Sequence, residues 1–243
     1  MKSLITIILV ASIFSACSGQ EKVSQKKFED ITLVNKIDFV NSKYDQARFS
    51  CGFLLKFKTD TFAVTAKHLL KFIKTDDMKS VSFKNIIKEW SLFPLDKKQN
   101  LVVTDKLLNE NSSELIEAKS TYEEDWLIFS LKQNNSKVKP LEIREATLIP
   151  GEKLYVIGWT RKMEEGSQRV YEFEYLKKAG NRIWLKDIIV PEQFGGLSGA
   201  PVVDEAGKVV GLVSGPATDP DSGKKYFAPC VMDGIVEFLN SRK

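Results

Sequence analysis

Phe194-Gly195-Gly196-Leu197-Ser198-Gly199-Ala200-Pro201 is the stretch around which the rest of the chain is organised, and the hairpin-like Val202-Val203-Asp204-Glu205-Ala206-Gly207-Lys208-Val209-Val210-Gly211 follows it at once. A serine flanked by glycines fits a sharp turn, because glycine adopts backbone angles closed to other residues. In such a turn the N–H groups of Gly196 and Ser198 converge on one point where they stabilise an oxyanion, which makes Ser198 a candidate nucleophile. By itself the octapeptide reads equally well as a Gly/Ser/Pro-rich loop between two strands. The residues that separate these alternatives lie upstream.

Composition narrows the field first. At 243 residues the chain is long enough for two modest barrels or one large domain, and 43% apolar with 28% charged residues describes an ordinary folded protein. The net charge of +4 is spread over lysines interspersed with acids, without a basic stripe, so no nucleic-acid partner is expected. A single histidine and unclustered cysteines offer no metal-ligand spacing, and no phosphate-cradling glycine loop is present, so no metal and no cofactor are expected. Glu123-Glu124 and Glu164-Glu165 are adjacent pairs, which on strands point to opposite faces and do not form a glycosidase dyad.

The first 16 residues read as a signal peptide: Lys2 precedes the apolar run Leu4 to Phe14, too short to span a bilayer, and Ser15-Ala16 close it. Phe14-Ser15-Ala16-Cys17 resembles the lipobox of bacterial lipoproteins, with Phe14 where leucine is usual. That resemblance implies a lipid on Cys17, anchorage to a membrane, and residence in the bacterial cell envelope, in the periplasm or on the outer-membrane face. An ordinary secretory signal cut near Ala16 is the alternative, and both export the protein. Residues 17–46 read as a polar, lysine-rich tether and leading segment, with one strand or short helix in the alternating run Ile31 to Val40.

Cys51 to Lys58 has a strand pattern, Thr59-Asp60 a turn, and Thr61 to Thr65 a second strand, which together make a hairpin. The chain then turns helical at Ala66-Lys67-His68-Leu69-Leu70. Taken alone, a solitary histidine is an ordinary surface or core residue. Its context is more specific. Thr65-Ala66-Lys67-His68 resembles the Thr-Ala-Ala-His block that carries the general base of chymotrypsin-like serine proteases. Further blocks of that family follow in order. Glu124-Asp125-Trp126-Leu127-Ile128-Phe129 resembles the strand whose aspartate orients the histidine, with Leu127 in place of a small residue. Leu154 to Thr160 resembles the opening strand of the second barrel, Gly196 to Pro201 the nucleophile block, and Gly211 to Gly215 the strand along which substrate backbone pairs. Asp233 to Asn240 reads as a closing helix capped by Asp233.

The resemblance covers roughly residues 47 to 240. It implies an all-β fold of two antiparallel Greek-key barrels with a short C-terminal helix: residues 47–135 carrying His68 and Asp125, and residues 136–243 carrying Ser198. Within the family, the Val203 to Val209 hairpin is most similar to bacterial HtrA-type peptidases, here with no PDZ domain expected after it. The implied activity is that of a serine endopeptidase acting on polypeptides. Ser198 is the nucleophile, His68 the general base, Asp125 its orienter with Glu124 the nearest substitute, and Gly196 and Ser198 the oxyanion donors. Glu192 and Ser214 are expected at the substrate pocket, Glu192 where an acid would favour a basic side chain.

Besides Leu127, four further departures mark this chain. Leu197 replaces an aspartate that pairs with a freed N-terminal ammonium in digestive proteases, Ala200 replaces a glycine, Lys67 stands beside the base, and Leu69 replaces the cysteine that would bridge to Cys51. Cys51 and Cys230 are accordingly expected to be buried free thiols. The rival function is a pseudoprotease lipoprotein that keeps the double barrel as a binding scaffold. Esterase activity would use the same three residues.

Overall fold

Two strands buried together over Cys51–Leu55 and Ala63–Thr65 form the expected hairpin, in a computed structural model that describes residues 24–219 and 222–242. The expected signal peptide, residues 1–16, and Cys17 lie outside the described residues. Strands β1 (Thr32–Phe39), β2 (Gln46–Phe57) and β3 (Asp60–Thr65) open the first barrel. β2 and β3 pair from Gly52 opposite Thr65 to Phe57 opposite Asp60, around a turn in which Lys58 takes a φ of 54°. A 3-10 turn, Lys67–Leu69, and the short helix α1 (Leu70–Ile73) follow, as the sequence suggests.

β4 (Ser80–Val81) and β7 (Asn111–Leu115) form a separate two-stranded flap. β5 (Ile87–Phe93), β6 (Val102–Leu107) and β8 (Leu127–Asn134) complete the barrel in the order β1-β5-β6-β8-β3-β2, and the β1–β2 pairing closes the ring. Between β7 and β8 lies the one-turn helix α2 (Ser120–Glu123). β9 (Leu141–Glu142) adds to β2 in parallel at the exit.

The second barrel runs β10 (Lys153–Gly158), β11 (Arg169–Ala179), β12 (Arg182–Ile189), β13 (Pro201–Val203), β14 (Val209–Leu212), β15 (Pro216–Thr218), β16 (Lys225–Phe227) and β17 (Cys230–Val231). Its ring is β11-β10-β13-β14-β17-β12, closed by β11–β12, with β16 and β15 hung on β12. The fold is thus two closed six-stranded antiparallel barrels with one short C-terminal helix, α3 (Asp233–Ser241), as expected. Asp233 is not the cap of α3. Met232 holds that position without a side-chain bond, and Asp233 lies in the first turn, where a carboxylate favours the helix dipole.

The first barrel also begins earlier than residue 47. Leu33, Ile37 and Phe39 of β1 alternate into the first barrel's core, which settles strand over helix for this run. Residues before it lie against the second barrel: the Ser24 N–H donates to the Val170 carbonyl at 2.9 Å, and the Phe28 ring packs 5.2 Å from that of Tyr155. Residues from Ser24 onward are therefore packed on the second barrel and do not belong to a tether. A third apolar cluster lies between the barrels, joining Phe53, Val64 and Ile128 to Tyr155, Ile157 and Leu212. It fixes how the two halves of the site face each other.

Candidate active site

The 3-10 turn after β3 brings His68 to the barrel interface, where the residue is buried. Asp125 enters from the segment between α2 and β8 and is fully buried. An isolated carboxylate there would be heavily penalised, but this one accepts three hydrogen bonds. The backbone N–H of His68 donates to Oδ1 at 2.7 Å, the imidazole Nδ1–H to Oδ2 at 2.6 Å, and the Ser214 hydroxyl to Oδ2. With Nδ1 committed to Asp125, Nε2 is left as the acceptor for the Ser198 hydroxyl at 2.9 Å. Ser198, His68 and Asp125, separated by 130 and 57 residues along the chain, form one line of hydrogen bonds.

The turn that presents Ser198 is built as its glycines suggest. Gly196 takes a φ of 101°, and a Cβ there would stand 2.3 Å from the Arg161 nitrogen. Gly199 takes a φ of 81°, with Cβ space already filled by the Cys51 carbonyl at 2.3 Å and Thr65 Oγ1 at 2.5 Å. These positions admit only glycine. The Cys51 N–H donates to the Ser198 carbonyl at 2.9 Å, so the Ser198 turn of the second barrel is tied to β2 of the first. The N–H groups of Gly196 and Ser198 donate to no other group among the described residues, which leaves them free for a ligand oxygen.

The departures have structural answers. Leu197 is fully buried beside Gly158, Cys51 and Ala200, so apolar packing rather than an ion pair anchors the turn. The Ala200 methyl is buried in the same cluster, and its backbone still bonds Leu197 and Val213 at 2.8 Å. Cys51 and Cys230 are both buried and free. Burial pushes the Cys51 thiol up to about 12, with its Sγ 3.6 Å from the Trp159 carbonyl, and raises Cys230 likewise.

The expected pocket residues sit differently from Ser198, His68 and Asp125. Ser214 spends its hydroxyl on Asp125 and is buried. Glu192 is exposed and lies 3.7 Å from the Lys162 ammonium. The phenylalanine beside it, Phe194, packs on Phe227 at 4.9 Å, and Phe227 stacks on Phe173 at 4.7 Å.

Sequence reasoning missed several groups that shape the site. Asn35 of β1, fully buried, donates to the Cys51 carbonyl at 2.9 Å and accepts from Trp90 Nε1 at 3.0 Å, supporting the strand that holds Ser198. An asparagine inside an apolar alternating run is the signal that marks it. Tyr122 stacks on the His68 ring at 5.7 Å and 14°, and Phe72 meets the same ring edge-on at 6.1 Å. Burial, then the charge of Asp125, hold the Tyr122 phenol above its usual range.

A trypsin-fold double barrel with a serine, a histidine and a buried aspartate in line between its halves defines the serine-protease type. A family model described as the trypsin-like peptidase domain matches residues 51–212, and the chain belongs to that family. No curated protein matches the chain. Among solved structures, neuropsin, a serine protease expressed in the limbic system of mouse brain, is similar at 14% identity and TM-score 0.60, over 88% of this chain and 94% of its own. A Glu endopeptidase is similar at 15% identity and TM-score 0.59, over 92% and 97%. A protease from M. tuberculosis in its active form is similar at 13% identity and TM-score 0.53, over 87% and 80%.

Proposed function

We propose that the protein is an exported, membrane-anchored serine endopeptidase. The observation that carries the reading is the continuous Ser198–His68–Asp125 line, with its single buried carboxylate satisfied by three donors. Ser198 attacks a peptide carbonyl while Nε2 of His68 takes its proton, and Asp125 keeps Nδ1 protonated and the ring oriented. The oxyanion then sits between the Gly196 and Ser198 N–H groups, and His68 returns the proton to the leaving amine. Substrate backbone pairs along the segment after Ser214. Pro216 there lacks an N–H, so one main-chain donor to substrate is missing.

Membrane attachment rests on Cys17 and its lipobox-like surroundings, and kinship with HtrA-type peptidases on the hairpin after the nucleophile. Cys17→Ser should abolish lipid labelling and release soluble protein. An unmodified mature N-terminus other than Cys17 would remove the anchor from the proposal.

The enzyme reading is tested by fluorophosphonate labelling, which requires an activated serine, together with turnover of a broad peptide and ester panel. Ser198→Ala should block labelling, His68→Ala should nearly do so, and the double variant should be no worse than either single one, because the two act as a unit. Asp125→Asn should fold normally yet lose about 10⁴ in kcat. A folded parent that takes no probe and cleaves nothing would make the protein a binding scaffold.

A further inference from the structure

The lysine beside the base is not at the surface. Lys67 is 2% exposed, inside the 3-10 turn that carries His68, and its ammonium lies 2.8 Å from Oε1 of Glu114 on the β4–β7 flap. The resembled family has alanine at this place, so the flap and the histidine turn acquire a charged link that the fold itself does not need. A buried ion pair contributes little net stability compared with well-packed apolar residues, and its better-attested use is to fix one arrangement among several.

What the pair fixes is visible from its next contact. Glu114 Oε1 also accepts the Ser120 hydroxyl at 3.1 Å, and Ser120 is the first residue of α2. On that one turn Tyr122 stacks against the imidazole, and the Lys71 ammonium lies 4.1 Å from the centroid of the tyrosine ring. Two residues past its end is Asp125. From the second barrel, Arg182 donates to the Tyr122 carbonyl and, at 2.9 Å, to that of Ala228. The histidine turn and the aspartate segment therefore share a part-buried clamp besides their direct bonds.

We propose that Lys67, with Glu114 and Ser120, is a positioning residue: the Lys67–Glu114–Ser120 link holds α2, and with it Tyr122 and Asp125, in register with the imidazole. This rests on His68 and Asp125 acting as base and orienter. Losing the link leaves the reacting groups present but misplaced, and small misplacements cost one to two orders of magnitude in the chemical step.

The test compares parent, Lys67→Met/Glu114→Leu and Ser120→Ala. The first replaces the buried pair by apolar groups of similar size, so no charge is stranded. The second leaves the ion pair and cuts only its tie to α2. Three quantities are read: melting temperature, kcat and KM on a cleaved substrate, and the proton resonance of the His68 Nδ1–H, unambiguous because the chain has one histidine. Expected for the double variant are a melting temperature close to the parent's, kcat lower by about ten- to a hundredfold with KM within about twofold, and a displaced imidazole resonance. Ser120→Ala should show the same changes in smaller degree. Parental kcat and resonance in a folded double variant overturn the proposal, as does a fall in kcat that only tracks the folded fraction. If the double variant does not fold, parental behaviour of Ser120→Ala overturns it. Should the parent take no fluorophosphonate, the enzyme reading fails on that ground, and the resonance still decides the positioning.

Discussion

Leu197 shows how one side chain replaces an electrostatic device by a packing one. Its full burial beside Ser198 anchors the glycine turn without any charge, so the turn's shape does not depend on a freed N-terminal ammonium. Leu197→Ala should cost about 2–5 kcal/mol in urea unfolding and slow fluorophosphonate labelling, because the cavity opens directly behind Ser198. Leu197→Asp should be worse still, since nothing in that apolar cluster pairs with a carboxylate. Cys51 belongs to the same wall. With burial holding its thiol up to about 12, a disulfide reagent at pH 8 should find no reactive thiolate at this site in the folded protein and should modify it only on unfolding. Rapid modification of Cys51 under native conditions would contradict the packing described.

At the scale of elements, the two barrels are joined by a segment stapled down by Arg144. Its guanidinium donates to both oxygens of Glu152, at 2.6 and 3.0 Å, and to the Ala146 and Thr147 carbonyls, with Asp204 3.5 Å away. The Arg144 hydrogen bond holds the Glu152 carboxyl below its ordinary value. A carboxyl whose folded value is depressed stabilises the fold above its unfolded value of about 4.3, and that contribution disappears as pH falls through the folded one. Melting temperature should therefore drop for the parent on acidification through this range. Glu152→Gln should be less stable by about 1 kcal/mol at neutral pH and should lack that part of the acid dependence. The serine turn is the second element-scale constraint. Gly199→Ala sets a methyl against the Cys51 carbonyl in a left-handed backbone, so it should destabilise both barrels at their contact and abolish labelling.

For the whole molecule, residues Ser24 to Ile31 act as a strap over the second barrel before β1 enters the first. Thr32 Oγ1 donates to the Ile157 carbonyl at 2.7 Å, and Gln168 Oε1 accepts from the Ile31 and Thr32 N–H groups at 3.1 Å. Phe28 covers Tyr155, whose phenol is pushed up to about 12 by burial first and then by Glu205 and Glu172. A group with a raised folded value stabilises fully below its unfolded value, here about 10, and loses that contribution as pH rises toward 12. Alkaline unfolding between pH 10 and 12 should thus be steeper for the parent than for Tyr155→Phe. Phe28→Ala should shift the phenolate absorbance titration of Tyr155 toward the ordinary range.

The residues that do chemistry in such a site must be of fixed types at fixed places in order, so Ser198, His68, Asp125 and the glycines of the turn were legible along the chain. The strand pattern at Cys51 likewise marked the hairpin, and the family resemblance implied the opening of the second barrel and the class of fold. Only the tertiary structure decided where side chains point and which distant segments meet. β1 became the closing strand of the first barrel because its register against β2 and β5 buries one face, a long-range fact that a polar, lysine-rich neighbourhood conceals. Glu192 turned to solvent and Lys162, and Ser214 turned its hydroxyl to Asp125, because loop geometry rather than residue type sets direction. Nothing in its local sequence marks Lys67 as a buried residue. It is buried because Glu114, 47 positions away, arrives on a flap to meet it, and charge pairing across such a distance is specified by the folded packing rather than by any local pattern.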